Sequence, residues 1–143
     1  MDKILLVEDD LDICEVICNY FETKGTSVNA VNSGGEAFDL IRNGLEGYDL
    51  VLLDIMLPET DGFTLCRQLR MRSDIPVIFI TARGREEDIL SGYDLGCDDY
   101  IVKPFEKEEL ILSLLKLQDN ISKALESTKP QEGHRYDELR SLI

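Results

Sequence analysis

"DLVLLDIMLP", residues 49–58, places one carboxylate inside an otherwise apolar stretch. Its first part, Leu50–Leu53, is a continuous apolar run of the kind found in parallel strands that are covered on both faces. Asp54 ends this run, and three more apolar residues follow it. A charged side chain in such surroundings is rarely left without a partner. The stretch therefore predicts a buried strand that ends at a carboxylate held by other groups.

The rest of the chain alternates short apolar runs with stretches of helical periodicity. Besides 50–53, the pattern predicts strands at 4–7, 28–30, 77–80 and 100–102. It predicts helices at 11–23, 34–41, 62–71, 86–95 and 107–118, the last of which extends towards residue 125. Five successive strand-and-helix units with right-handed crossovers predict an α/β fold, an open doubly wound sheet of five parallel strands with five helices.

Length and charge narrow the class of protein. The 143 residues predict one domain over 1–120 and a tail over 121–143, which comprises a helix extension, a linker at 127–133 and, at 136–143, either the truncated start of a further C-terminal domain or a frayed end. The net charge of −14 argues against direct nucleic-acid contact by this chain. No apolar run approaches the roughly 18 residues that span a bilayer, and no signal peptide precedes the first strand, so we expect a cytoplasmic protein without a membrane contact.

The four cysteines do not form a metal site. Cys14 and Cys18 share a helix face, but we interpret them, with Cys66 and Cys97, as small buried hydrophobic residues in a reducing compartment. The one histidine, His134, lies in the polar tail. We therefore reject a zinc site.

Polar side chains end four of the apolar strands. Glu8, Asp9 and Asp10 follow the first strand, and the third, fourth and fifth end at Asp54, Thr81 and Lys103. Open α/β sheets bind ligands just beyond the carboxyl ends of their strands, so a strand order of 2-1-3-4-5 would bring these groups into one crevice. Each group alone has a simpler explanation, since Asp10 or Asp12 could cap a helix and Lys103 could be a solvated strand end.

Together these side chains predict chemistry on a phosphoryl group. Clustered carboxylates repel one another unless a cation is present, and Mg²⁺ prefers such hard oxygen ligands. With the ammonium of Lys103 and the hydroxyl of Thr81, the cation would form a clamp for an anion. Asp54 is the best candidate nucleophile and would form an aspartyl-phosphate. Pro104 follows the lysine, and a cis peptide bond before it would fix how Lys103 points.

These residues resemble the receiver domain of two-component response regulators. The matching stretches are "ILLVEDD", "DLVLLDIMLPETDGF", "PVIFITAR" and "GCDDYIVKPF", which together cover about residues 3 to 118 in the family's order. The resemblance implies a flavodoxin-like fold, with sheet order 2-1-3-4-5. It implies that a sensor histidine kinase phosphorylates Asp54, and that the domain is a switch which loses its phosphate slowly rather than an enzyme.

The resemblance also implies roles for further residues. Mg²⁺ would bind Asp9, Asp54 and the backbone carbonyl of Met56, and Glu8 would act largely through water. On phosphorylation the Thr81 hydroxyl would move towards the phosphoryl group and the Tyr100 ring would turn inward, switching the surface of the fourth helix, fifth strand and fifth helix. A tyrosine buried for structural reasons is the competing account of Tyr100. Met56 and Arg83 would set the lifetime of the phosphate.

"VEDD", "ARGREED" and "DDYIVKPF" look most like the branch that carries a winged-helix DNA-binding domain, so an effector of that kind, absent from this chain, is the expected target of control. Members of that branch often dimerise through salt bridges on the switched surface. This chain has Ile89 and Ser113 where arginines are usual, which weakens the case for a homodimer. Without these arginines, Asp98, Asp99 or Glu109 would lack their usual partners.

Three alternatives remain at this point. A haloacid-dehalogenase-like phosphohydrolase also uses an aspartate and Mg²⁺, but its D-x-D motif lies on the first strand, whereas Asp10 and Asp12 follow that strand here. A flavodoxin must cradle an FMN phosphate, which Glu8 and its acidic neighbours would repel. A receiver fold used as a phosphate-independent interaction module would usually have lost the acceptor, metal or lysine residues, and all are present.

Overall fold

Five parallel strands form a single sheet in the order β2-β1-β3-β4-β5 in the computed structural model, which describes residues 1–127. The strands are β1 (Lys3–Val7), β2 (Ser27–Val31), β3 (Leu50–Leu53), β4 (Val77–Thr81) and β5 (Asp99–Val102). The predicted doubly wound α/β fold and its strand order are confirmed. No helix within residues 1–127 combines the length and the apolar character that crossing a membrane requires.

Five helices alternate with the strands, as predicted. They are α1 (Leu11–Glu22), α2 (Gly34–Asn43), α3 (Gly62–Arg70), α4 (Glu86–Asp94) and α5 (Lys107–Ser127). The last helix, α5, continues past residue 118 as predicted and ends at Ser127, two residues beyond residue 125. The remainder of the predicted tail, with the linker after Ser127 and the segment 136–143, lies outside the described residues.

Alternation along the strands divides the core between the two faces of the sheet, because successive side chains of a strand point to opposite sides. Leu52 and Ile78 pack on one face with buried residues of α1 and α5. Leu53 and Phe79 pack on the other face with buried residues of α2 and α3. Both faces are covered, and this is why the central strands are apolar at every position.

Polar side chains at the helix starts follow their expected local roles. The Asp10 carboxylate caps α1 by accepting hydrogen bonds from the backbone N–H groups of Asp12 and Ile13. Ser33 caps α2 in the same way, and Asp61 caps α3. Asp10 therefore acts as the predicted helix cap, beside the acidic residues that precede it. Of the four cysteines, Cys18 is half-buried and the other three are buried, and all four are free thiols.

A close approach of two backbones connects β3 to the start of α3. The N–H of Gly62 donates to the carbonyl of Ile55 at 2.8 Å. A Cβ atom at Gly62 would lie 2.3 Å from the backbone oxygen of Asp54 and 2.7 Å from the Ile55 Cα, distances that side chains do not reach. A glycine is therefore required here for α3 to pack against the loop that carries Asp54.

We predict that Gly62→Ala lowers the free energy of unfolding by about 1–3 kcal/mol, because the added methyl group meets backbone atoms that cannot move aside. Urea denaturation measures this change. Gly35→Ala is the matched control, since a Cβ there meets only the flexible end of the Glu59 side chain, 2.8 Å away. Equal stabilities for the two variants would contradict the close-approach argument.

Candidate functional site

The four polar strand ends meet at one edge of the sheet. Val7 of β1 lies opposite Leu53 of β3, so the residues that follow them, Glu8 and Asp54, leave the sheet at the same level. Thr81 lies opposite Val102 in the β4–β5 pair, which brings Lys103 to that level as well. Strand order and register thus place these side chains together, as the sequence predicted.

Lys103 lies between two buried carboxylates. Its Nζ is 2.9 Å from Oδ2 of Asp54 and 2.5 Å from Oε1 of Glu8. The exposed fraction is 4% for Asp54 and 1% for Glu8, so both pairs are shielded from water. The peptide bond between Lys103 and Pro104 is cis. The lysine that ends β5 therefore provides the positive charge that Asp54 was expected to need.

The ammonium of Lys103 is shared by two carboxylates, and the pKa values of Lys103 and Glu8 are raised for different reasons. Burial by itself lowers the pKa of Lys103, but the hydrogen bonds with Glu8 and Asp54 outweigh it and raise that pKa above its ordinary value. Burial, together with the neighbouring charge of Asp54, raises the pKa of Glu8 to about 7 in spite of the hydrogen bond with Lys103. Without another cation, Glu8 thus holds its proton close to neutral pH.

Three acidic residues define an acidic cluster at this edge, namely Glu8, Asp9 and Asp54. One carboxylate oxygen from each lies within 4.8 Å of the others. All three are hard oxygen donors, which suits a small divalent cation such as Mg²⁺. Burial first, and then the charge of Asp54, raises the pKa of Glu8, so a further cation beside it would favour the ionised carboxylate. The residues present therefore fit the predicted ion.

The loops around the cluster fix the orientation of its members. The N–H of Met56 donates to Oδ1 of Asp54 at 3.0 Å, so both oxygens of this carboxylate have a partner. The side-chain amide of Asn32 donates to the backbone carbonyl of Glu8 at 3.0 Å, and the thiol of Cys14 approaches the same carbonyl at 3.5 Å. Sequence reasoning missed Asn32 and Cys14, since their effect depends on backbone atoms rather than on charge.

Thr81, Arg83 and Tyr100 form a connected group next to Asp54. Thr81 is completely buried, and its Oγ1 accepts a hydrogen bond from the N–H of Arg83 at 3.3 Å. The hydroxyl of Tyr100 donates to the backbone carbonyl of Arg83 at 2.6 Å. Burial, followed by the charge of Asp88, raises the pKa of Tyr100 to about 12, so the phenol remains a hydrogen-bond donor at neutral pH.

The surface formed by α4, β5 and α5 is named the output surface after the role that the resemblance predicts for it, and its carboxylates have partners within the chain. Asp99 accepts hydrogen bonds from the hydroxyl of Ser113 at 2.6 Å and from that of Tyr93 at 3.1 Å. Asp98 accepts from the backbone N–H of Val77 at 2.9 Å and pairs with Arg70. Glu109 accepts from the backbone N–H of Glu106. Polar groups of the same chain thus bind these carboxylates, while the effect of Ile89 and Ser113, in place of the usual arginines, on a homodimer stays a prediction. Ile89 is half-buried on α4.

Residues 4–115 match the family model described as "Response regulator receiver domain". The chain belongs to this family. The receiver is 37% identical over 140 residues to the response regulator SaeR of Staphylococcus aureus, which covers 97% of this chain and 59% of SaeR. It thus spans about three-fifths of the length of that relative.

Solved structures agree with this assignment. The BeF3-activated N-terminal receiver domain of RstA from Klebsiella pneumoniae superposes with a TM-score of 0.73 at 35% identity, covering 80% of this chain and 97% of that one. The response regulator TrrA of Thermotoga maritima, in complex with Mg(2+)-BeF, has a TM-score of 0.69 at 31% identity, covering 81% and 98%. Membership of the receiver family excludes the hypotheses that the chain is a haloacid-dehalogenase-like phosphohydrolase or a flavodoxin.

We predict that, in a buffer whose chelator removes divalent cations, ionisation of Glu8 lowers the free energy of unfolding of the receiver as the pH rises. The pKa of Glu8 is about 7 in the folded state, against 4.5 for an ordinary glutamate. Protonated Glu8 therefore contributes its full stabilisation below about pH 4.5, and this contribution is lost as the pH rises through about 7. Glu8→Gln lacks the titration, and its advantage in free energy of unfolding over the unsubstituted receiver should grow between about pH 5 and about pH 8.

Urea denaturation across that range measures the difference. Glu22→Gln, on the exposed side of α1, is the control for the loss of one negative charge outside the site. An advantage of Glu8→Gln that stays constant, or that shrinks as the pH rises, would contradict the raised pKa.

Proposed function

We propose that this receiver accepts a phosphoryl group on Asp54 from the phosphohistidine of a sensor kinase, and that the new group switches the output surface. The observation that carries the proposal is the Asp54 carboxylate, buried at the edge of the sheet and 2.9 Å from the ammonium of Lys103. The acidic cluster supplies a place for Mg²⁺ beside it. The ion pair with Lys103 and the acidic cluster together support a phosphoryl clamp around this carboxylate.

The transfer exchanges one bond to phosphorus for another. A carboxylate oxygen of Asp54 bonds to phosphorus while the phosphorus–nitrogen bond of the phosphohistidine breaks, and the nitrogen keeps the electron pair. The Lys103 ammonium faces the charge on the phosphoryl oxygens, and the Thr81 hydroxyl donates to one of them once it turns towards Asp54. Burial strengthens both interactions, because little water competes with them.

Mg²⁺ would be held by Asp9, Asp54 and the backbone carbonyl of Met56, with Glu8 acting through water. When bound, the ion supplies positive charge that offsets the repulsion between the carboxylates and the incoming phosphoryl group. This role is supported by the three hard oxygen ligands of the cluster and by the related TrrA receiver, whose structure is described as a complex with Mg(2+)-BeF.

The connected group around Arg83 supports the proposed switch. A phosphoryl group adds acceptor oxygens to which the Thr81 hydroxyl can donate, and movement of that hydroxyl towards them would weaken the hydrogen bond that it now accepts from the N–H of Arg83. Any movement of Arg83 reaches Tyr100 through the hydrogen bond to its carbonyl. The Tyr100 ring in turn packs against Gly92 of α4, where a Cβ would lie 2.9 Å from it. Phosphorylation thereby shifts the population of α4 positions.

We further propose that the whole regulator is longer and controls transcription through a winged-helix DNA-binding domain. The match to only 59% of SaeR supports a longer regulator. The switch would hydrolyse its own phosphate slowly, with Met56 and Arg83 setting the rate, and would act in the cytoplasm. A homodimer through the output surface would rely on apolar contacts, since Leu90, Tyr93 and Leu112 are exposed there and Asp99 is bound within the chain.

We predict that incubation with acetyl phosphate and Mg²⁺ adds the mass of one phosphoryl group to the receiver, and that Asp54→Asn abolishes the addition. An amide nitrogen is not a nucleophile, and the substitution preserves the shape of the side chain. Intact-mass spectrometry measures the adduct. Asp10→Asn makes the same chemical change at the cap of α1, where asparagine caps equally well, and should be labelled normally.

Labelling of Asp54→Asn to the level of the unsubstituted receiver would contradict Asp54 as the acceptor. Absence of an adduct from the unsubstituted receiver, both with acetyl phosphate and with a phosphorylated kinase domain, would contradict the function itself.

We predict that Asp9→Asn weakens Mg²⁺ binding by about tenfold or more, since loss of even an indirect partner of a metal has an effect of that size. Isothermal titration calorimetry at neutral pH measures the affinity. Asp10→Asn is again the matched control, because it removes the neighbouring charge while keeping the helix cap. Equal weakening by the two substitutions would indicate a diffuse electrostatic effect instead of a bound ion.

A further inference from the structure

Arg83 is tied to three parts of the fold through its three polar groups. Its N–H donates to Thr81 at the end of β4, and its carbonyl accepts from Tyr100 of β5. Its guanidinium Nη2 donates to Oδ1 of Asp88 at 2.8 Å. The position of this one residue therefore depends on the strand ends and on the first turn of α4.

The guanidinium of Arg83 lies close to the phosphoacceptor loop. Its central carbon is 5.4 Å from the centre of the Phe63 ring. Phe63 directly follows Gly62, whose backbone is packed against that of Asp54. The Arg83 cation is thus held beside the site by Asp88 on one side and by an aromatic ring on the other.

Asp88 is placed to hold a cation firmly. Its side chain is 11% exposed, whereas that of Arg83 is 41% exposed. A buried carboxylate retains its partner strongly, because separating them would leave an uncompensated charge. A phosphoryl group on Asp54 introduces a second anion nearby, with oxygens that suit the two-pronged geometry of a guanidinium. The two anions then compete for one cation.

We propose that Asp88 is a positioning residue that keeps the Arg83 guanidinium away from the phosphoryl group on Asp54, and so shortens the lifetime of that group. The inference rests on the proposed function, since it concerns the phosphorylated receiver. It adds a residue of α4 to the determinants of that lifetime.

The reaction affected is hydrolysis of the aspartyl-phosphate. The oxygen of a water molecule bonds to phosphorus as the bond from phosphorus to the Asp54 oxygen breaks. The electron pair of the broken bond stays on the Asp54 carboxylate, and both protons of the water leave on dihydrogen phosphate. A guanidinium paired with the phosphoryl oxygens would stabilise the phosphorylated state and cover the side that water attacks. Asp88 prevents this pairing.

The test measures the decay of phosphorylated receiver by intact-mass spectrometry after removal of the phosphodonor. Asp88→Asn removes the competing charge, so the half-life should lengthen about threefold or more. A change of that size corresponds to part of the free energy of a single ion pair. Asp88→Glu retains the charge and should restore a half-life within about twofold of the unsubstituted receiver.

The Arg83→Gln background distinguishes the proposed role of Asp88 from a purely structural one, because a structural effect on the half-life would not depend on Arg83. In the Arg83→Gln background, adding Asp88→Asn should leave the half-life unchanged, because no cation is left to release. Lengthening by Asp88→Asn in both backgrounds would overturn the inference, as would an unchanged or shorter half-life in the single variant. If Asp88→Asn fails to fold, Asp88→Ser, which is smaller and also uncharged, takes its place with the same expected result.

The outcomes separate this inference from the proposed function. An unsubstituted receiver that takes no phosphoryl group contradicts the function. A receiver that is labelled at Asp54 and decays at the same rate with or without the Asp88 charge contradicts only the role of Asp88.

Discussion

The ammonium of Lys103, shared between Glu8 and Asp54, is the interaction on which the rest of the site depends. Three carboxylates meet at one edge of the sheet, and their mutual repulsion in a buried setting would oppose folding if no cation were present. The lysine comes from the strand at the far edge of the sheet, so the pairing requires the complete strand order. It does not offset the burial of Glu8, whose pKa stays raised to about 7, so a further cation beside the cluster would favour the ionised carboxylate.

The same edge also connects the site to the output surface. Thr81 and Asp54 are buried side by side at the ends of adjacent strands, and Arg83 joins Thr81 to Tyr100 and to α4 through its backbone and side chain. On the outer side, Asp99 binds hydroxyl groups of both α4 and α5, through Tyr93 and Ser113. Hydrogen bonds therefore connect the neighbourhood of Asp54 to both helices over a short distance.

Local signals in the sequence were sufficient for the strands and for the polar residues at their ends, whereas the strand order came from the resemblance to receiver domains. Apolar runs ending in polar residues mark the strand ends, and the topology of a doubly wound sheet brings them together. The network around Asp99 was not predictable, because Ser113 and Tyr93 look like ordinary helix-surface residues until the helices are in place. The length of α5 was predictable to within a few residues, since helical periodicity continues beyond its strongly apolar first turns. Asp88 resembled one more acidic residue of a helix start, and only its burial beside Arg83 distinguishes it.

The central claim is that Asp54, among several neighbouring carboxylates, is the one that forms a bond to phosphorus. The most direct measurement is reduction of the phosphorylated receiver with borohydride, which converts an aspartyl-phosphate to homoserine, followed by peptide mass sequencing. The account predicts homoserine at position 54, with Glu8, Asp9 and Asp10 unmodified. Homoserine at position 9 or 10, with aspartate retained at position 54, would contradict it.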